Sequence, residues 1–234
     1  MNETGKRAAG RAAAELVEDG MRMGFGSGST VARFLEALAE RELDVAGVPT
    51  SEETAQRCRE LGLALLDPDQ LLDLDMVVDG ADELDHDLSL TKGGGGALLR
   101  EKVVAWNCAR MIVIATPDKV VERLGDSFPL PLEVIPFARR SVAHVVEGLG
   151  FEVTARDGGE YRTDNGNLIL DARMPGGIKD PEVMESLLAL VPGIAENGLF
   201  VGLADAAILG RDDGEIEVLH APQEDDEEVV VLPE

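Results

Sequence analysis

The chain alternates between short runs of apolar, often β-branched residues and longer segments in which apolar residues recur every three or four positions. The first pattern predicts buried strands, and the second predicts amphipathic helices. In the first half of the chain we expect strands at 22–26, 44–50, 63–67, 75–79 and 111–116. Helices are expected between them at 30–40, 51–62 and 97–109. The alternation predicts a doubly wound α/β domain with a mostly parallel, Rossmann-like sheet.

The pattern changes where three prolines interrupt the segment 123–137. The next part of the chain mixes strand patterns at 132–135, 151–155 and 167–172 with helix patterns at 138–150 and 181–191. This order predicts a smaller α+β companion domain.

The domain organisation follows from these patterns. We place the small domain at 129–199 and the main domain at 1–128 and 200–221. The segments 198–210 and 215–219 are expected to return to the main sheet. The tail at 222–234 carries five consecutive acidic residues, and we expect it to be disordered.

The charge of the chain is strongly negative. It has 46 acidic and 21 basic residues, which gives a formal net charge of −25 at pH 7. This balance argues against binding to a nucleic-acid backbone. We interpret it as a surface adapted to high salt, where dense carboxylates are screened, in preference to a merely soluble acidic surface. Because lysines are so few, we expect each to have a specific role: Lys6, Lys92, Lys102, Lys119 and Lys179.

Other features of the composition narrow the class of protein. No apolar run approaches the roughly 20 residues that a membrane-spanning helix needs. The first 20 residues contain no apolar segment typical of a secretory signal. Cys58 and Cys108 are too few and too far apart for a disulfide framework, and the three histidines lack metal-ligand spacing. We expect a soluble cytoplasmic protein that contacts no membrane and needs no metal.

The first segment with candidate chemistry is "GFGSGST", residues 24–30, between a predicted strand and a predicted helix. Its glycines would let a ligand approach the backbone, and the helix N-terminus would offer free N–H groups to an anion. A tight turn capped by Ser29 or Thr30 would explain the same residues. A P-loop is excluded because the segment has no lysine. A dinucleotide site is disfavoured because Ser29 replaces the third glycine and Asp44 precedes the second strand.

Two further segments would lie at the same edge of the sheet. "DGADELD", residues 79–85, directly follows a strand, so Asp79 and Asp82 can turn into a crevice there. An Asp-rich turn is the alternative, and Glu83, Asp85 and Asp87 would then be surface charges. "KGGGGALLREK", residues 92–102, places Lys92 and Glu101 around a flexible glycine run, although Glu101 and Lys102 could also be solvated helix charges.

Taken together, the three segments resemble the type A ribose-5-phosphate isomerases. The resemblance extends to Lys6, "PDKVVERLG" with Lys119, "FPLPLEVIP" and "TDNGNLILD", and it covers nearly the whole chain before the acidic tail. One departure is that Ser27 stands where members of the family commonly have threonine. Both residues supply a hydroxyl group.

The resemblance implies an aldose–ketose isomerase that converts ribose 5-phosphate to ribulose 5-phosphate through an enediolate, with no cofactor or metal. It assigns Glu101 as the base, Lys92 as the stabiliser of negative charge, and Asp79 and Asp82 as partners of sugar hydroxyls in ring opening. It also implies a homodimer or homotetramer. The remaining contacts to the sugar phosphate would come from Lys6, Ser27, Gly28, Ser29, Thr30, Gly80, Ala81, Gly93, Gly94, Gly95 and Lys119. Any side chain in the glycine run is expected to occupy the space of the sugar.

Two other functions remain open from the sequence. One is a related amino-sugar phosphate deaminase–isomerase, which would release ammonia. The other is a domain that senses a sugar phosphate without turnover. Such a regulator usually carries a DNA-binding element, and this acidic chain offers neither a basic segment nor spare length for one.

Overall fold

The computed structural model describes residues 2–222, so the expected disorder of the tail at 222–234 concerns residues that lie almost entirely outside the described part. The helices are α1 Glu3–Glu15, α2 Ser29–Ala39, α3 Glu52–Leu61, α4 Leu98–Trp106, α5 Arg139–Gly148 and α6 Pro181–Ala189. The first seven strands are β1 Arg22–Phe25, β2 Ala46–Pro49, β3 Ala64–Leu65, β4 Met76–Asp79, β5 Glu83–Leu84, β6 Leu90–Thr91 and β7 Met111–Ala115. The other seven are β8 Leu130–Val134, β9 Glu152–Ala155, β10 Leu168–Arg173, β11 Ile194–Asn197, β12 Leu199–Phe200, β13 Ala206–Gly210 and β14 Ile216–His220.

The main sheet has seven strands in the order β14-β13-β7-β4-β1-β2-β3. All neighbours are parallel except β13 and β14. From β1 the chain moves outward to β2 and β3, and it then returns to place β4 on the other side of β1. The strand order therefore reverses between β1 and β4, and the crevice at their carboxyl ends is the usual ligand position in such sheets. The predicted doubly wound α/β fold is confirmed.

Helices cover the main sheet on both faces, and its central strands are therefore buried throughout. One apolar cluster joins the sheet to α1 and α2, with Phe25 and Phe34 completely buried. A second cluster lies on the opposite face, where Val104 of α4 packs near Val77 and Val113. Burial on both sides explains why the strands read as continuous apolar runs instead of alternating ones. No helix within residues 2–222 is long and apolar enough to cross a membrane.

A four-stranded antiparallel sheet, in the order β11-β8-β10-β9, lies between β7 and β12 in the chain. Its apolar cluster includes residues of α5 and α6, among them Val142, Val146 and Leu188. The strands and helices expected in this part of the chain are present, and β11 is an additional strand. The domain boundaries at 129 and 199 stay a prediction.

A small third sheet, in the order β12-β6-β5, was not predicted. It corrects the expectation that all of 198–210 returns to the main sheet, since Leu199 and Phe200 pair with β6. Only β13 and β14 return there. The strands β5 and β6 are two residues each, too short to give a periodic pattern. The helix α1 was also missed.

Glu83 in β5 is a second correction, because it is not a surface charge. Its side chain is completely buried. The carboxylate accepts hydrogen bonds from the backbone N–H groups of Gly125, Ser127 and Phe128 and from the Ser127 hydroxyl, at 2.6–2.8 Å. Glu83 thereby fixes the segment that leads from the main sheet into β8. A buried carboxylate needs such donors, and the sequence around Glu83 gives no sign of them.

Candidate active site

The three predicted segments meet at the crevice between β1 and β4. They surround a cavity of about 360 Å³. All of the expected site residues line this cavity except Asp79 and Gly93, and Asn2, Ala115, Thr116 and Asp118 line it in addition. The 3₁₀ turn Pro117–Lys119 directly follows β7 and places Lys119 at the same edge of the sheet. Strand order thus brings together residues from positions 2 to 119 of the chain.

Lys92 is the buried cation of the site, with 3% of its side chain exposed. Its Nζ donates a hydrogen bond to the Gly80 carbonyl at 2.7 Å. It also lies 3.1 Å from Oδ2 of Asp79 and 3.4 Å from Oε1 of Glu101. Burial by itself would lower the pKa of Lys92, but the carboxylates of Asp79 and Glu101 outweigh it and raise the pKa. The side chain is therefore held as an ammonium ion.

Glu101 faces the same cavity from the first turn of α4 and is 5% exposed. Its Oε2 is buried and has no hydrogen-bond partner among the described residues. Burial raises the pKa of Glu101 to about 8, and the nearby Asp79 and Asp82 add to the shift while the Lys92 ammonium opposes it. A carboxylate with an unoccupied oxygen and a pKa near neutrality is suited to proton transfer.

Asp79 is almost completely buried and does not line the cavity, and its expected contact with sugar hydroxyls stays a prediction. Its Oδ1 accepts hydrogen bonds from the N–H groups of Ser27 and Gly80, at 3.0 and 2.7 Å. A Cβ at Gly26 would lie 2.2 Å from the same oxygen, which requires glycine there. The carboxylate lies behind the cavity wall, where it ties the first segment to the second and pairs with Lys92.

Asp82 does line the cavity. Its Oδ2 accepts a hydrogen bond from the Gly94 N–H at 2.7 Å, which links the second segment to the glycine run. Burial raises the pKa of Asp82, and the Gly94 N–H and the Lys92 ammonium oppose that shift. The Asp82 carboxyl group is thus available to a ligand from one side while the backbone fixes it from the other.

At the start of α2 the backbone is open to the cavity. Gly28 has a φ of 104°, and no side chain caps the first turn. Lys6 of α1 donates a hydrogen bond to the Ser29 hydroxyl at 2.7 Å and contributes a positive charge beside these N–H groups. An uncapped helix N-terminus next to a lysine is a favourable place for an anion such as phosphate.

The match to known families is extensive. The model of the family described as ribose 5-phosphate isomerase A (phosphoriboisomerase A) matches residues 46–214. A protein named ribose-5-phosphate isomerase A from Agrobacterium fabrum is 50% identical over 217 residues, which cover 88% of this chain and 93% of that protein. The chain belongs to the ribose 5-phosphate isomerase A family. The resemblance predicted from the three segments is confirmed.

Solved structures of this isomerase family share the fold. The ribose 5-phosphate isomerase A from Methanocaldococcus jannaschii is 38% identical, with a TM-score of 0.88 over 94% of this chain and 100% of that chain. A D-ribose-5-phosphate isomerase in complex with phospho-erythronic acid is 37% identical, with a TM-score of 0.88 over 92% of this chain and 97% of that chain. The fold class predicted from the sequence agrees with both.

The hydroxyl groups that surround Ser27 at this isomerase-type site were not predicted from the sequence. The Ser27 hydroxyl lies 2.8 Å from the Thr50 hydroxyl, 2.8 Å from that of Ser51 and 3.1 Å from that of Thr54. Thr54 in turn donates to the Gly26 carbonyl at 2.8 Å. Ser27 is therefore a junction between the first segment and α3. The hydroxyl residues Thr50, Ser51 and Thr54, at the start of α3, were the available clue.

Backbone conformation or a close neighbour requires glycine at three of the four positions of the run. Gly93 and Gly96 have φ values of 102° and 79°, which residues with a Cβ rarely adopt. A Cβ at Gly94 would lie 2.5 Å from an Asp82 oxygen, whereas at Gly95 it would meet nothing within 4 Å. The expectation that any side chain in the run would occupy sugar space is wrong for Gly93 and Gly96, which do not line the cavity.

The described residues 2–222 contain no group of three or more His, Cys, Asp or Glu side chains arranged to hold a metal ion. The histidines His86, His144 and His220 are all exposed. Within this part of the chain, the lysines that line the cavity are Lys6, Lys92 and Lys119.

Proposed function

We propose that the protein interconverts D-ribose 5-phosphate and D-ribulose 5-phosphate through an enediolate. The observation that carries the proposal is the geometry of Glu101 and Lys92. A buried carboxylate with one unpartnered oxygen lies 3.4 Å from a buried ammonium at the wall of a cavity of about 360 Å³. Membership of the ribose 5-phosphate isomerase A family supports the same conclusion.

In the proposed reaction, Glu101 is the general base. With the open-chain aldose in the cavity, an oxygen of Glu101 takes the proton from C2. The electron pair of that C–H bond forms the C1–C2 double bond, and the carbonyl oxygen O1 becomes negatively charged. Glu101 then returns the proton to C1 while the O2 hydroxyl loses its proton and O1 gains one, which leaves a ketone at C2. A base with a pKa of about 8 can serve both half-steps near neutral pH.

Lys92 is the proposed electrophile. Its ammonium is preorganised by the Gly80 carbonyl and by Asp79, so little reorganisation is needed when charge develops on O1 and O2. Asp79 acts indirectly here, because it touches Lys92 and the backbone of the first segment and not the cavity. Asp82 is proposed to contact a sugar hydroxyl and to assist ring opening.

The phosphate is proposed to bind at the N-terminus of α2. The N–H groups of Ser29 and Thr30 and the Lys6 ammonium would provide the donors, and Gly28 would allow close approach. Lys119, on a different strand end, is proposed to contact the sugar. The backbone segments at 80–81 and 94–95 complete the walls of the cavity.

The ligand of a related structure supports the proposed intermediate. Phospho-erythronic acid, the ligand in the 37% identical isomerase, combines a phosphate with a carboxylate. A carboxylate is planar and negatively charged over two oxygens, as is an enediolate. A cavity that presents Lys92 at one side and the N-terminus of α2 with Lys6 at another matches both ends of such a molecule.

We also propose that the protein is cytoplasmic and forms a homodimer or homotetramer. Cys58 and Cys108 are both free thiols, which suits a reducing compartment. Large apolar side chains are exposed in the isolated chain, including Trp106 at 76% and Phe137 at 100%. Exposed apolar groups of this size are typical of surfaces that contact another subunit.

The proposal is tested by incubating purified protein with ribose 5-phosphate and following ketose formation. Glucosamine 6-phosphate, with ammonia as the readout, tests the deaminase alternative in parallel. We expect ketose formation and no ammonia. Binding of ribose 5-phosphate without any ketose would instead favour the sensing function.

A further inference from the structure

Three consecutive carbonyl groups of the glycine run are held by side chains that follow β9. Nη1 of Arg156 donates hydrogen bonds to the carbonyls of Gly93 and Gly94, at 3.1 and 3.0 Å. The Tyr161 hydroxyl donates to the carbonyl of Gly95 at 2.8 Å. Neither side chain lines the cavity, so both act on the run from behind.

The two side chains are themselves fixed. Arg156 immediately follows β9, and it forms a two-point ion pair with Asp171 on the adjacent strand β10. Its guanidinium carbon lies 5.4 Å from the centre of the Tyr161 ring, within range of a cation–π contact. A Cβ at Gly96 would lie 2.1 Å from the Tyr161 hydroxyl oxygen, so the run and the tyrosine fit closely. We call Arg156 and Tyr161 the carbonyl clamp.

Holding the carbonyls also sets the direction of the N–H groups. The peptide bonds of the run are trans, so each carbonyl and the N–H of the following residue point in opposite directions. The Gly93 carbonyl faces Arg156, and the Gly94 N–H accordingly faces Asp82 on the cavity side. By the same geometry, the Gly95 N–H points away from Arg156. It has no acceptor among the described residues, and Gly95 lines the cavity.

We propose that Arg156 is a positioning residue that aims the Gly95 N–H, through the Gly94 carbonyl of the same peptide, at the negatively charged oxygen of the reaction intermediate. Tyr161 supports it by holding the next carbonyl, that of Gly95, and by packing against the Arg156 guanidinium. The proposal rests on the isomerase function proposed above. A positioning role differs from simple support of the fold in its effect on ligand binding. A correctly aimed N–H stabilises an oxyanion more than a neutral hydroxyl or carbonyl. The loss of the clamp should therefore affect the intermediate more than the substrate.

The test uses two ligands that differ at one end. Phospho-erythronic acid carries a carboxylate, and phospho-erythritol carries a CH₂OH group in its place.

Tyr161→Phe removes only the hydroxyl and keeps the ring over Arg156. Arg156→Lys keeps the charge but loses the fork that spans two carbonyls and Asp171. Arg173→Lys, an exposed arginine of β10, is the matched control. Calorimetry gives the dissociation constants, and thermal melting reports on folding.

For Tyr161→Phe we expect phospho-erythronic acid to bind about 3- to 10-fold more weakly, the scale of one hydrogen bond, with kcat lowered by a similar factor. For Arg156→Lys the loss should be about 10-fold or more, because two carbonyls are released. Phospho-erythritol affinity and KM should change by less than about twofold in both variants, and the control should match the wild type in every measurement.

Two results would overturn the proposal. One is an equal loss of affinity for both ligands, which would make the clamp a general support of the loop. The other is unchanged affinity for phospho-erythronic acid and unchanged kcat in Arg156→Lys; if that variant does not fold, the same result in Asp171→Asn, which weakens the ion pair that fixes Arg156, overturns the proposal. Failure of the proposed function is seen separately, as a wild-type protein that forms no ketose from ribose 5-phosphate.

Discussion

Nζ of Lys92 lies 3.4 Å from Oε1 of Glu101, and both groups are almost completely shielded from solvent. Each controls the protonation state of the other. Burial alone would favour a neutral lysine and a neutral glutamic acid, whereas the contact favours the charged forms of both. The contact outweighs burial for Lys92, so its pKa is raised. For Glu101 burial outweighs the contact, and its pKa is raised to about 8. A carboxyl group with a pKa near neutrality and an ammonium thus lie side by side at the cavity.

The first prediction concerns Glu101 as the base. Glu101→Gln keeps the size of the side chain but removes the proton acceptor, so kcat should fall by at least about 100-fold. Exchange of the substrate C2 proton with deuterated solvent should stop as well. Binding of ribose 5-phosphate, measured by calorimetry, should persist because the contacts proposed for the phosphate and hydroxyls are unchanged.

Glu147→Gln is the matched control, since Glu147 is exposed on α5, which does not contribute to the cavity. It should behave as the wild type. Near-normal exchange in Glu101→Gln would show that another group carries the proton, and Asp82 would then be the first candidate because it also lines the cavity.

The second prediction is the pH dependence of kcat/KM. A base must be ionised to act, and Glu101 loses its proton in the free enzyme at a pKa of about 8. kcat/KM should therefore rise with pH up to about 8 and fall about tenfold for each unit below it. Lys92 should remain charged through this range because its pKa is raised.

Rate measurements from pH 5.5 to 9.5 at constant ionic strength would show this rise of kcat/KM, the acidic limb of the pH profile. In Lys92→Met the limb should move to higher pH, because the ammonium that lowers the pKa of Glu101 is gone. A limb near pH 4.5 in the wild type would mean that Glu101 is not buried in the working enzyme.

The third prediction is that turnover needs no divalent metal. The Lys92 ammonium already supplies positive charge next to Glu101 and the Gly80 carbonyl, where charge is proposed to develop on the substrate. Activity should be unchanged after prolonged treatment with EDTA and gel filtration into metal-free buffer. Activity that is lost and then restored by magnesium or zinc would contradict the expectation and would give Asp79 and Asp82 a ligand role.

The fourth prediction concerns the buried carboxylate of Glu83. It accepts four hydrogen bonds from residues 125–128, so Glu83→Gln would turn an amide NH₂ toward groups that are themselves donors. We expect the free energy of unfolding to fall by about 1–3 kcal/mol, measured by urea denaturation. Glu122→Gln, at an exposed glutamate nearby, should leave it unchanged within about 0.5 kcal/mol. Equal stability of the two variants would mean that the amide finds other partners.

The sequence predicted the main sheet and the position of the site well, because both depend on local patterns. Buried strands such as 111–115 are continuous apolar runs, and the turns after β1 and β4 carry glycine and aspartate. These signals lie within a few residues of one another. They place Glu101, Lys92 and Asp82 at one sheet edge without knowledge of side-chain contacts.

The parts of the site that could not be predicted from the sequence depend on contacts between distant segments. Arg156 and Tyr161 contact the glycine run across more than 60 positions, and nothing near either residue marks them as part of a site. The surroundings of Asp79 could not be predicted for a related reason. Oδ1 of its carboxylate accepts hydrogen bonds from the Ser27 and Gly80 N–H groups, an arrangement that depends on the exact course of two loops. A residue type indicates a chemistry, but only the surrounding backbone decides which way it faces.

The last prediction concerns salt. The formal charge of −25 is spread over 234 residues, so the folded chain should repel itself at low ionic strength. At 1 M salt the Debye length is about 3 Å, and repulsion between exposed carboxylates is largely screened. The melting temperature and the specific activity should therefore both rise from 50 mM to 1–2 M potassium chloride. Exposed ion pairs such as that of Arg211 with Glu217 should weaken over the same range, but each contributes little.

Screening must be separated from the general stabilising effect of excluded salts. Potassium chloride and sucrose should be compared, since sucrose also favours the compact state but does not screen charge. We expect stabilisation by potassium chloride that is steepest below about 0.5 M, where the Debye length changes most in absolute terms. A variant with several exposed acidic residues of α3 and α5 replaced by glutamine should need less salt for the same melting temperature. If the melting temperature is flat or falls with potassium chloride, the acidic surface is not an adaptation to salt.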